Sequence, residues 1–95
     1  MKELSIVIVN YRTWTSLNLC LKSIVRQKDL DLDVIVVDND SGDNEMSSFE
    51  RNYSWVKWIK NSKNHGFAKA CNIGASIAKS KWILFLNPDT ILDIN

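Results

Sequence analysis

Four short polar stretches hold the residues able to do chemistry in this chain: Asn10-Tyr11-Arg12, Asp38-Asn39-Asp40-Ser41-Gly42-Asp43, Asn61-Ser62-Lys63-Asn64-His65-Gly66 and Asn87-Pro88-Asp89. They supply carboxylates, amides, an aromatic ring and a single histidine. A carboxylate on a rigid support can hold a divalent cation against a diphosphate. Asp89 fits that role, because Pro88 limits how far it can wander from the apolar run before it. A carboxylate directly after a buried strand can accept hydrogen bonds from a base imide or a ribose hydroxyl, and Asp38 follows Val34 to Val37 in that way. Tyr11 beside Asn10 is placed to stack on a base.

Each of these residues also has a plainer reading. Asp89 beside Thr90 suits a turn or a helix cap, and on local grounds alone that is the stronger reading. Asp40 and Asp43 suit a polar turn leading into a helix capped by Ser41 or Asp43. Trp14 suits a hydrophobic staple, and Trp55, Trp58 and Trp82 suit packing. His65 has no second histidine and no CxxC pair nearby, so zinc and histidine-pair chemistry are excluded. Cys20 and Cys71 fall inside helical apolar patterns and are expected to be buried free thiols.

The elements that must position these groups follow from periodicity. Leu4 to Val9, Val34 to Val37 and Ile83 to Leu86 are short apolar runs bounded by polar breakers, the pattern of strands buried on both faces of a parallel sheet, and Val56 to Ile59 is a weaker one that Lys57 interrupts. Between them, Leu17, Cys20, Leu21, Ile24 and Val25 recur at helical spacing within Thr15 to Gln27. Asn44 to Tyr53 and Gly66 to Lys79 repeat the pattern, the latter with Ala70, Gly74, Ala75 and Ala78 as small residues for close packing. The alternation predicts an α/β fold: a Rossmann-like parallel sheet of about four strands with flanking helices. In such sheets ligands bind at the carboxyl ends of the strands, and all four polar stretches fall there.

Composition narrows the classes. A chain of 95 residues with 45% hydrophobic and 24% charged residues is at most one globular domain. A net charge of +1 with scattered basic residues gives no electrostatic case for nucleic acid or an acidic membrane surface. No apolar run approaches the roughly 18 residues of a membrane span, and Leu4 to Val9 is too short for a signal peptide. Unpaired cysteines suit a reducing, cytoplasmic setting. The turn after the first strand, "VNYRTWTS", has no glycine, so dinucleotide-fold and P-loop signatures are absent and a diphosphate has to be neutralised in another way. The same turn has no acidic residue, which excludes a phosphoacceptor receiver domain.

The stretches "SIVIVNYRTWTSLNLCLKSI", "VIVVDNDSGD" and "NHGFAKACNIGASIAKSKWILFLNPDTIL" together resemble family-2 glycosyltransferases of the GT-A fold, in order and spacing, over nearly the whole chain. The "LNPDT" ending is most similar to the branch that includes rhamnosyltransferases. The resemblance implies inverting transfer of a sugar from a nucleotide diphosphate donor, UDP- or dTDP-linked, to a glycan or lipid-linked acceptor, assisted by Mg2+ or Mn2+. It places base recognition on Asp38, ring stacking on Tyr11, and the lining of the base pocket on backbone groups of Val9 and Asn10. Asn64, Gly66 and Asn72 match the family's Asn-x-Gly…Asn pattern near the diphosphate. The family's Asp-x-Asp metal motif reads Asn87-Pro88-Asp89 here, so Asp89 keeps the metal contact and Asn87, one charge poorer, is left to ribose or to the turn.

The resemblance further implies that residues 1–95 are a truncated N-terminal, donor-binding part of the domain. The catalytic base and the acceptor site would lie beyond Ile94-Asn95, with no catalytic residue in this chain. The expected strand order is third, second, first, fourth. That order leaves Ile83 to Leu86 at an edge where a second copy can pair. The expected setting is the cytoplasm, or the inner face of a membrane in a longer protein. A non-catalytic nucleotide-binding or interaction module is the rival reading.

Overall fold

The computed structural model describes residues 2–27 and 31–93, so the Ile94-Asn95 end lies outside the described residues. The elements are β1 (Leu4–Asn10), α1 (Trp14–Val25), β2 (Leu32–Asp38), α2 (Glu45–Asn52), β3 (Lys57–Lys60), α3 (Phe67–Ile77) and β4 (Trp82–Leu86). All pairings are parallel, in the order β3-β2-β1-β4 expected from the sequence. Strand and helix ends differ from the periodicity limits by one or two residues. Asn10 and Asp38 become the last residues of β1 and β2 and sit opposite each other in register.

β1 and β2 form the centre because helices cover both their faces. Ile6, Ile8, Val34 and Val36 meet Leu17, Leu21 and Ile24 of α1 and Met46 of α2 on one side. Val7, Val9, Ile35 and Val37 meet Ala70 of α3 on the other. Full burial of such side chains stabilises by about 1.5–3 kcal/mol each. α3 lies close on β1 and β2 because Gly74 presents no side chain there.

Two expectations are corrected. β4 is exposed along most of its length instead of buried on both faces, with Trp82, Ile83, Leu84 and Phe85 all open to solvent. Its apolar sequence suits a covered strand, but α3 packs over β1 and β2, leaving the edge strand bare. Trp55 and Trp82 are likewise exposed, since one precedes an edge strand and the other opens β4. After β4 the chain turns, with Thr90 N–H donating to the Asn87 carbonyl at 3.0 Å, as Pro88 foretells. It then runs back along α1: Leu92 N–H donates to Ser23 Oγ at 3.0 Å and the Leu92 side chain joins Leu86 against the core. No helix among the described residues is long and apolar enough to cross a membrane.

Candidate functional site: a polar platform at the carboxyl edge

The carboxyl ends of β1 and β2 are joined through one buried carboxylate. Asp38 is 2% exposed. Its Oδ1 accepts from Asn10 Nδ2 at 2.9 Å and from Ser41 Oγ at 2.6 Å, and its Oδ2 accepts from Ser41 N–H at 3.1 Å. Asn10 is fully buried, and its Oδ1 accepts from Thr13 Oγ1 at 2.6 Å and Thr13 N–H at 3.3 Å, just ahead of α1. Its backbone carbonyl accepts from Asn39 N–H at 2.8 Å. Ser41 therefore turns inward to Asp38, and the helix-capping role expected of it is not realised: α2 starts from Asn44, and Asp43 Oδ1 accepts from Glu45 N–H at 3.3 Å. The staple expected of Trp14 becomes a tether, since its indole N–H donates to both Asp43 oxygens at 3.0 and 3.1 Å while its ring packs on Phe49.

The third loop is fastened by Asn39, which the sequence shows only as one more polar residue among acids. Asn39 Nδ2 donates to Asn64 Oδ1 at 3.0 Å and to the Gly66 carbonyl at 3.2 Å. Its Oδ1 accepts from Asn61 Nδ2 and His65 N–H, both at 3.1 Å. The signal available in sequence is the run of amides in Asn61…Asn64 answering an amide after β2. Asn64 Oδ1 also accepts from Gly66 N–H at 2.8 Å, which leaves the exposed Asn64 amide nitrogen for solvent or ligand. Gly66 caps α3 at φ 84°, ψ 166°, a region open to essentially glycine alone.

The platform so built joins Asn10, Asp38, Asn64 and Gly66 through Ser41 and Asn39. Val9 and Tyr11 flank Asn10 in the chain, Val9 in the core and Tyr11 43% exposed. Among the described residues, no side-chain hydrogen bond ties Asn72, Asn87 or Asp89 to this cluster, and all three are exposed. Asp89 stands on the Asn87–Thr90 turn, near enough to α1 to act on Cys20. Burial pushes that thiol up to about 11, with the Asp89 charge adding to it. Cys20 and Cys71 are both free, the first buried and the second partly so.

A divalent cation is implied by the family resemblance, and the donor chemistry accommodates one. No group of three or more His, Cys, Asp or Glu among the described residues is placed to hold a metal by itself. Asp89 offers one exposed carboxylate, two residues along the turn from the exposed Asn87. Hard oxygen donors in that number suit Mg2+ or Mn2+, which keep several waters and complete their shell from substrate phosphates.

Residues 5–95 match the profile described as Glycosyl transferase family 2. The chain belongs to that family. An uncharacterized glycosyltransferase of Haemophilus influenzae is 36% identical over 87 residues, which is 90% of this chain and 29% of the relative. Glycosyltransferase GlyG of Streptococcus pneumoniae is 31% identical over 99 residues, covering 100% of this chain and 33% of GlyG. The chain thus spans about a third of the length of these curated relatives. Among solved structures, S. aureus TarS 1-349 in complex with UDP-GlcNAc superposes with a TM-score of 0.85 at 22% identity, over 97% of this chain and 28% of TarS. The mannosyltransferase PcManGT of Pyrobaculum calidifontis, in complex with GDP-Man and Mn2+, gives 0.83 at 20% identity, over 95% of this chain and 28% of that protein. At these identities the structural likeness establishes the glycosyltransferase fold.

Proposed function

We propose that this family-2 chain is the donor-binding part of an inverting glycosyltransferase, taking a UDP- or dTDP-linked sugar. The observation that carries the reading is the single hydrogen-bonded platform formed by the loops after β1, β2 and β3, with Tyr11 exposed next to Asn10 in the chain. Structures sharing the fold hold UDP-GlcNAc and GDP-Man, which supports a nucleotide-sugar ligand. The base stacks on Tyr11 over a floor made by Val9 and Asn10. Three of the roughly four acceptor positions of the Asp38 carboxylate are taken within the protein, so Asp38 serves base recognition chiefly by building the loop. Asn64 and Gly66 attend the diphosphate at the start of α3, where backbone N–H groups favour anions, and Asn72 reaches toward it from the middle of that helix. Asn87 contacts ribose or fixes the turn, and Asp89 holds Mg2+ or Mn2+. When bound, that cation neutralises charge on the departing diphosphate.

No general base for an acceptor hydroxyl is assigned among these residues. Asp38 is committed to the loop, Asp43 to Trp14 and Asp89 to the cation. In the whole protein we propose a glycan or lipid-linked acceptor, a role in polysaccharide synthesis, affinity to the rhamnosyl-transferring branch on the "LNPDT" ending, and a cytoplasmic or inner-membrane-face location.

The test is thermal shift with UDP, dTDP, GDP and ADP, each with and without Mn2+. UDP and dTDP with Mn2+ should stabilise most. A ligand at about ten times its Kd contributes about 1.4 kcal/mol, or roughly 6–11 °C for a domain this small. Asp89→Asn should remove the Mn2+ enhancement and leave metal-free binding in place. Equal shifts for all four nucleotides, or none, would overturn the reading.

A second copy of the chain is proposed as partner through β4. β4 is an end strand of the sheet among the described residues, and Trp82–Leu86 contains neither a charge nor a proline to discourage pairing. Sedimentation should show a concentration-dependent dimer that Leu84→Lys abolishes. A monomer at every concentration would refute it.

A further inference from the structure

Among the described residues, Arg12 is one of two non-glycine residues with a left-handed backbone, at φ 56°; the other is Asp40 at φ 64°. Such backbones cost an L-residue free energy and persist only where the surroundings enforce them. The enforcement on Arg12 is visible. Its N–H donates to Ser41 Oγ and its Nε donates to the Ser41 carbonyl, both at 2.9 Å, across 29 residues of chain. With the backbone and Nε so fixed, the guanidinium lies 5.1 Å from the centre of the Tyr11 ring. One end of the residue is thus anchored to the loop that Asp38 organises, while the other covers a face of the exposed aromatic.

We infer that Arg12 is the positioning residue of the base site: it holds one face of Tyr11 and leaves the opposite face to stack on a nucleobase. The inference rests on the proposal that Tyr11 receives the base. A cation against one face of the ring restrains its rotation, so stacking orders less when the ligand arrives. The planar guanidinium suits this role better than an ammonium, because it can lie against the ring while Nε still donates to Ser41. Nothing in the sequence distinguishes Arg12 from a solvated basic residue, since Ser41 is remote along the chain.

The unusual backbone makes a clean test possible. Arg12→Gly suits a left-handed φ better than arginine does and keeps the N–H bond to Ser41. The variant therefore removes the guanidinium, together with its part-buried Nε bond to the Ser41 carbonyl, while the relieved backbone offsets that loss. UDP affinity in Mn2+, measured by calorimetry, should fall about three- to tenfold, while the melting temperature of the free chain stays level or rises. Arg12→Lys should recover part of the lost affinity. In a Tyr11→Ala background, where affinity is already reduced, Arg12→Gly should have no further effect, because the group it restrains is gone. Unchanged UDP affinity in Arg12→Gly would overturn the inference while leaving the proposed function standing. A parallel fall in affinity and melting temperature would make Arg12 a structural latch only. An equal loss with and without Tyr11 would show that it acts elsewhere. Failure of the unaltered chain to bind UDP at all would overturn the base-site reading and this inference together.

Discussion

Asp38→Ala should lower the unfolding free energy by about 3–5 kcal/mol, the largest loss expected from any single polar substitution here. The carboxylate is 2% exposed and accepts three hydrogen bonds. Alanine would leave Asn10 Nδ2 and the Ser41 N–H and hydroxyl without their acceptors, and Asn10 and Ser41 are themselves 0% and 2% exposed. Each stranded buried group costs about 1–3 kcal/mol, and partial entry of water recovers some of the sum. Asp38→Asn should cost less, about 1–3 kcal/mol, since one acceptor oxygen survives while the new amide needs acceptors of its own. Urea titration reads the effect as a shift of midpoint at constant slope. A loss below about 1 kcal/mol would mean that the loop after β2 is pinned by Arg12 and Trp14 without the carboxylate. Nucleotide binding should fail with the fold in Asp38→Ala, so ligand assays on that variant need the stability measurement beside them.

Gly74→Leu should destabilise by more than about 3 kcal/mol, and Gly74→Ala by about 1–2 kcal/mol. A Cβ at position 74 would lie 2.5 Å from Val7 Cγ1 and 3.1 Å from Val37 Cγ2. Both valines are in the two central strands and fully buried, so neither can move without disturbing the sheet. Alanine in mid-helix gains about 1 kcal/mol of propensity over glycine, which offsets part of the clash. A double-mutant cycle separates the two effects. With Val7→Ala in place the first contact vanishes, and Gly74→Ala should become neutral or stabilising. If Gly74→Ala costs the same in both backgrounds, the close approach of α3 to β1 is not what glycine provides. The position matters for the site because α3 begins at Gly66, on the platform. A helix pushed off the sheet would pull Gly66 away from Asn39.

The sequence by itself determined the α/β alternation, the strand order through family resemblance, and the gathering of polar loops at one sheet edge. It could do so because these depend on local periodicity and on the handedness of βαβ crossovers. It also marked Ala70, Gly74, Ala75 and Ala78 as small residues for close packing of α3, of which Ala70 and Gly74 are the buried pair. Tertiary structure alone decided which carboxylates turn inward. Position directly after the β2 apolar run marked Asp38 apart from Asp40 and Asp43 in "DNDSGD", but as a contact for a ligand; the fold turns it onto a buried amide, because Asn10 ends the neighbouring strand in register with it. It alone showed that Arg12 and Trp14 reach Ser41 and Asp43, and that Asn39 ties in the loop after β3. It also revealed β4 as a bare strand, although its residues read as buried. Burial depends on which elements lie above a strand, and α3 covers β1 and β2 instead. Hydropathy records what a residue would gain by being covered, and only the packed chain determines whether anything covers it.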